Sequence, residues 1–231
     1  MAAVQRNLDQ LFTLLIAPIL PAVAPQTHWI IVPNGPLHRV PWAALHSREG
    51  YLIEARTLSL LPSASIGVAL AKSVPGVTRQ VIALGAPDPD HSMLSLPTAR
   101  REVTTVQQAF PDSPLPFLGA QATKTNFLKW APTAQLLHVA CHHCFDGTAP
   151  LLSFLKLGGE PGDQCLFAFE VADLELQVGL VTLSACESGR SQVATGDAQF
   201  GIVRSFLAVG AQSVISTLWH IQDQSAAVFF S

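Results

Sequence analysis

Val181-Thr-Leu-Ser-Ala-Cys186-Glu-Ser-Gly-Arg190 is an apolar run that stops on a cysteine and then turns through small and polar residues. A second stretch has the same design: Leu136-Leu-His-Val-Ala-Cys-His142-His143-Cys-Phe-Asp-Gly147 is apolar until it reaches an imidazole. Runs this short, β-branched or Leu-rich and apolar on both faces, read as strands covered by helices on each side. The same reading predicts strands at 29–32, 57–61, 81–84 and 213–217. Helices are predicted over 98–110, over 123–130 with Thr123 as N-cap, over 197–209 with Gly210 as the stop, and from Gln222 onward. Strands that alternate with helical patterns specify βαβ units and a mostly parallel sheet. The fold class is therefore α/β, an α/β/α sandwich with a mostly parallel central sheet. The polar, turn-rich stretch 87–95 reads as its most flexible connection.

In an open α/β sheet the functional crevice lies outside the carboxyl ends of the strands. Cys186 and His142 both stand at such ends. If their strands are neighbours, the thiol and the imidazole face each other, and a thiol needs such a base because its thiolate is the nucleophile. Ser184, Ala185, Ser188 and Gly189 are small enough to let a substrate backbone approach, and backbone N–H groups near Cys186 can stabilise an oxyanion. Against this stands the ordinary role of a cysteine at a strand end, a buried and inert thiol. His138 shares the parity of His142 four residues deeper and reads as a satisfied core histidine or a second-layer group. The run 141–144 does not read as zinc ligation, since consecutive strand residues point to opposite faces. No metal or cofactor is expected.

Composition bounds the rest. A chain of 231 residues, 49% hydrophobic and 13% charged with a net charge of −3, can bury a large core in a single domain, 1–231. It has neither the basic character nor the basic run that nucleic acid or anionic lipid would require. Four irregularly spaced cysteines point to a reducing, cytoplasmic setting rather than a disulfide framework. The apolar segment 11–24 imitates a signal peptide, but Asp9 precedes it and Pro18 and Pro21 interrupt it, so a helix and a Pro-bounded turn are expected. The apolar pattern that runs into Phe229, Phe230 and Ser231 reads as a helix cut short, and the chain as truncated there.

Taken together, His-Val-Ala-Cys-His142 and Leu-Ser-Ala-Cys186-Glu-Ser-Gly189 resemble the paired signature of CHAT domains, relatives of caspases and separase. Pro33-Asn-Gly-Pro-Leu-His-Arg-Val-Pro-Trp42-Ala-Ala-Leu45, Leu61-Pro-Ser63, Leu118-Gly-Ala-Gln-Ala-Thr123, Gly196-Asp197 and Ser216-Thr-Leu-Trp219 fit the same pattern in order. The resemblance implies a caspase-like fold and a cysteine endopeptidase with His142 as base and Cys186 as nucleophile. It further implies a protein or peptide substrate and a regulator that contains tetratricopeptide repeats. Such enzymes place a specificity acid after the last strand, where Asp223 is the nearest match and Asp197 the second. An acid at the first turn of a helix accounts for Asp223 equally well, through the helix dipole. The chain departs from the family where His143 replaces the usual glycine; an imidazole at a turn would strain the backbone, and it makes His143 an alternative base. The other readings are a CHAT-type scaffold that works by protein–protein binding, and a hydrolase using Ser184 or Ser188. The latter lacks the Gly-x-Ser-x-Gly elbow.

Overall fold

A computed structural model describes residues 2–23, 25–72, 80–86, 96–186, 188–189, 192–193 and 199–231. The chain forms two compact units, Met1–Gly67 and Val68–Ser231.

In the first unit, helix α1 (Ala2–Leu15) lays Leu11, Phe12 and Leu15 against a small core of Ile16, Trp29, Trp42, Leu45 and Leu52. Strands β1 (His28–Ile31) and β2 (Thr57–Leu60) pair in parallel within it, Trp29 opposite Leu58. The motif Pro33–Leu45 supplies its buried Trp42 and Leu45 to this core. His46 Nδ1 lies 2.7 Å from Asp9 Oδ1 and ties α1 to a short hairpin. The apolar segment 11–24 is helical to Leu15, turns, and is helical again over Leu20–Val23. Among the described residues no helix is long and apolar enough to cross a membrane.

The second unit carries the sheet that the sequence predicts. In chain order its elements are β3 (Val81–Gly85), α2 (Ala99–Gln108), β4 (Phe117–Leu118), α3 (Lys124–Trp130), β5 (Leu136–Ala140), β6 (His142–Cys144), β7 (Phe154–Lys156), β8 (Cys165–Phe167), α4 (Ala168–Ala172), β9 (Leu180–Ser184), α5 (Ile202–Ala208), β10 (Val214–Ile215) and α6 (Asp223–Phe230). The central sheet is all parallel in the order β10-β9-β5-β3-β4. Such a sheet needs cover on both faces, and it has it. One face packs Leu137, Val139, Cys141, Val181 and Leu183 against Phe127 of α3, Val171 of α4 and Ile202 and Phe206 of α5. The other packs Val81, Ala83 and Ala140 against Ala99 and Val103 of α2. The α/β/α sandwich expected from the sequence is what forms.

Local signals explain most boundaries. Thr123 caps α3 by accepting the Asn126 N–H at 3.1 Å. Gly210 ends the α5 segment at φ 106, where a β-carbon would lie 2.1 Å from the Leu176 carbonyl oxygen, so only glycine fits. Two expectations need correction. The helix predicted from Asp197 begins at Ile202, because Gln199–Phe200 pairs antiparallel with Gln192–Val193 and that ladder claims backbone groups an earlier helical turn would need. The strand predicted over 213–217 shortens to Val214–Ile215, and beyond it the Thr217 carbonyl accepts the Gly189 N–H at 2.7 Å instead of continuing a ladder. The connection at 87–95 lies outside the described residues.

Candidate active site

Strands β5 and β9 are adjacent and in register, Ala140 opposite Ser184, and the Cys141 N–H extends the ladder by donating to the Ser184 carbonyl at 3.2 Å. His142 and Cys186 each stand two residues beyond that last pair, at the same carboxyl edge. Side chains alternate along a strand, so His138 and Ala140 form one column on β5 and Thr182 and Ser184 the next on β9; His142 then opens β6 of a separate sheet, and Cys186 lies in the turn after β9. The two predicted residues thus share the same offset from the ends of adjacent strands.

The Cys186 thiol is half-buried and donates to the Ile221 carbonyl at 3.6 Å. The turn after it is fastened to the exit of β10. Thr217 Oγ1 donates to the Ala185 carbonyl at 2.6 Å, the Thr217 N–H donates to Ser188 Oγ at 3.2 Å, and Ser188 Oγ donates to the Leu183 carbonyl at 3.3 Å. A β-carbon on Gly189 would come within 2.8 Å of Ser216 Oγ and 3.1 Å of the Thr217 carbonyl oxygen. Gly189 is therefore required by the chain's own close approach. The Ser188 and Gly189 N–H groups already donate to the Ala185 and Thr217 carbonyls, which takes both away from an incoming oxyanion. Ser188 is fully buried, and Ser184 is buried inside the sheet.

His142 opens β6, opposite Lys156 of β7. His143 follows in extended backbone opposite Leu155, so it occupies a regular strand position. The strain expected of an imidazole at a turn does not arise, because the turn comes later. There Asp146 Oδ1 accepts from the Thr148 N–H at 2.8 Å, the Thr148 hydroxyl at 2.7 Å and the Ala149 N–H at 2.9 Å. Those donors, the Thr148 hydroxyl foremost, hold the Asp146 carboxyl below its ordinary range. The two ring nitrogens of His143 are shielded from solvent.

The other predicted site residues fall as follows. Asp223 is the first residue of α6; its Oδ2 accepts the Thr98 N–H at 2.9 Å and its carbonyl accepts the Thr98 hydroxyl at 3.1 Å. Asp197 lies outside the described residues. Among the described residues no three His, Cys, Asp or Glu side chains gather as a metal would require.

His138 is the buried core histidine that the sequence suggested, but its partner Glu102 was not foreseen. His138 Nδ1 is 2.6 Å from Thr182 Oγ1, across the β5–β9 pairing. His138 Nε2 is 3.0 Å from Glu102 Oε1 of α2, close enough to pair electrostatically although not aligned as a hydrogen bond. Both residues are about 1% exposed, and the Phe230 ring of α6 stands 6.0 Å from that of His138. The signal was available: Glu102 sits three residues after Ala99 and next to Val103, on the face that the helical period turns inward.

Cys141 points into the core, and burial pushes its thiol far above the ordinary value. It precedes His142 as a buried core residue. Because its folded-state value is raised, its contribution is complete below the ordinary thiol value of about 9 and is lost as pH rises past it. Above about pH 9 the unfolding free energy should fall more steeply with pH in the wild type than in Cys141→Ala. Urea melts at several pH values read that difference, and identical slopes would contradict it.

With this geometry in place, comparison with known proteins is informative. The CHAT domain family model matches residues 5–231. The chain belongs to the CHAT domain family. This CHAT chain is 27% identical to human tetratricopeptide repeat protein 28 and 25% identical to the mouse protein, over 96% of its own length. It spans about a tenth, 11%, of those relatives. Among solved structures it superposes on gingipain R, an Arg-specific cysteine proteinase, with a TM-score of 0.51 at 9% identity, over 96% of this chain and 54% of that one. The fold is thus caspase-like, as the sequence motifs implied.

Proposed function

We propose that this CHAT domain is a cysteine endopeptidase with Cys186 as nucleophile and His142 as base. The reading rests on one observation above all: Cys186 and His142 occupy equivalent positions past the paired ends of adjacent parallel strands. His142 takes the thiol proton, and Cys186 Sγ attacks the scissile carbonyl carbon. The C–N bond then breaks as His142 returns the proton to the leaving amine, and water hydrolyses the thioester. The oxyanion is received by N–H groups other than those of Ser188 and Gly189. Asp223, Ser184 and Gly189, already engaged within the chain, are not assigned to substrate.

The substrate is a protein or peptide, the setting cytoplasmic, and the regulator a tetratricopeptide-repeat segment or partner. The last point is supported by the names of the relatives. A second reading, a scaffold that binds partners without turnover, draws on the hydrogen bond that engages the thiol with Ile221. The two separate on a peptide library incubated with the full chain. Turnover, together with covalent capture by an electrophilic peptide at Cys186 and not at Cys141 or Cys165, supports the peptidase. Equal labelling of all four cysteines, or no turnover under any condition that permits capture, overturns it.

A further inference from the structure

The segment that leads into α6 touches the nucleophile, and α6 is fastened at its start. Ile221 accepts the Cys186 thiol proton through its carbonyl at 3.6 Å. Two residues on, Asp223 makes its paired contact with Thr98, side chain to N–H and carbonyl to hydroxyl. Thr98 immediately precedes α2, whose Ala99 and Val103 are fully buried against the sheet. The far end of α6 is seated as well, with Phe230 beside the buried His138. The Ile221 carbonyl is thus held against Cys186 by an anchor that belongs to the core.

We propose that Thr98 and Asp223 are positioning residues that clasp α6 onto α2, so that the Ile221 carbonyl holds the Cys186 thiol at rest. This rests on Cys186 being the nucleophile. For the thiol to pass its proton to His142, the hydrogen bond to Ile221 must be given up. The clasp sets how readily that happens, because a carbonyl two residues from a double anchor has little freedom to withdraw. Asp223 therefore governs the resting state of the thiol from inside the chain.

The experiment is the rate of iodoacetamide alkylation at each cysteine of the full chain, read by mass spectrometry of the modified peptides. Asp223→Ala removes the acceptor for the Thr98 N–H and is expected to raise the Cys186 rate about tenfold, about 1.4 kcal/mol in the barrier. Asp223→Asn keeps an acceptor oxygen and should stay within about twofold of wild type. Thr98→Val, which removes only the hydroxyl bond, should fall between. The buried Cys141 is the internal control and should stay protected throughout. An unchanged or slower Cys186 rate in Asp223→Ala overturns the clasp, as does a Cys141 rate that climbs in parallel, which would mark general loosening. Since no peptide substrate enters the assay, failure of the peptidase reading appears separately, as absent turnover.

Discussion

Replacing Cys186 by alanine is expected to lower peptide turnover by at least about 10^3-fold and to abolish capture by an electrophilic peptide. His142→Ala should lose nearly as much, because no base is then left to take the thiol proton. The double variant should lose little beyond either single one, since residues that act as one unit do not add. His143→Ala separates the two imidazoles. His143 pairs with Leu155 in the ladder and has both ring nitrogens shielded, so its loss should cost less than about tenfold. Initial rates on one peptide, normalised to folded protein by near-ultraviolet dichroism, measure all four variants. A Cys186→Ala enzyme retaining a tenth of the wild-type rate would falsify the assignment. A His143→Ala variant as damaged as His142→Ala would move the base one residue along.

Much of this site could be read from the sequence because both strands announce their ends. The runs Leu136–Ala140 and Leu180–Ser184 are mostly apolar, broken only by His138, Thr182 and Ser184, and the structure gives them those same bounds. Polar residues that follow a buried parallel strand can only project beyond its carboxyl end. What stayed hidden depends on contacts distant in sequence. Glu102 and His138 lie 36 positions apart, and each alone resembles an ordinary residue of its element. Gly189 looked like space for a substrate, yet its room is filled by Ser216 and Thr217, which only the β9–β10 pairing brings near. Asp223 was legible as an acid at a helix start, whereas its tie to Thr98 spans 125 positions. The start of α5 was misplaced because the pairing of Gln192–Val193 with Gln199–Phe200 carries no apolar period to announce it.

The buried pair beneath the dyad should dominate the stability of this unit. Glu102 and His138 are about 1% exposed and 3.0 Å apart, so removing Glu102 leaves His138 Nε2 buried without that neighbour, while Nδ1 keeps Thr182. Glu102→Ala is expected to cost about 1–3 kcal/mol, a sizeable part of the 5–15 kcal/mol that usually holds a domain together. The cost is a penalty for the widowed partner and not the net worth of the pair. Replacing both groups by apolar side chains of similar volume, Glu102→Met with His138→Leu, should therefore recover most of the loss. Thr182 sharpens the test: in the double variant its hydroxyl loses His138, so full recovery should require Thr182→Val as well. Urea denaturation of the single, double and triple variants measures the cycle. If Glu102→Ala costs less than about 1 kcal/mol, or if the double variant is no more stable than either single one, the pair is not holding α2 on the sheet. The anchor beneath Thr98 would then have to be sought in Ala99 and Val103 alone.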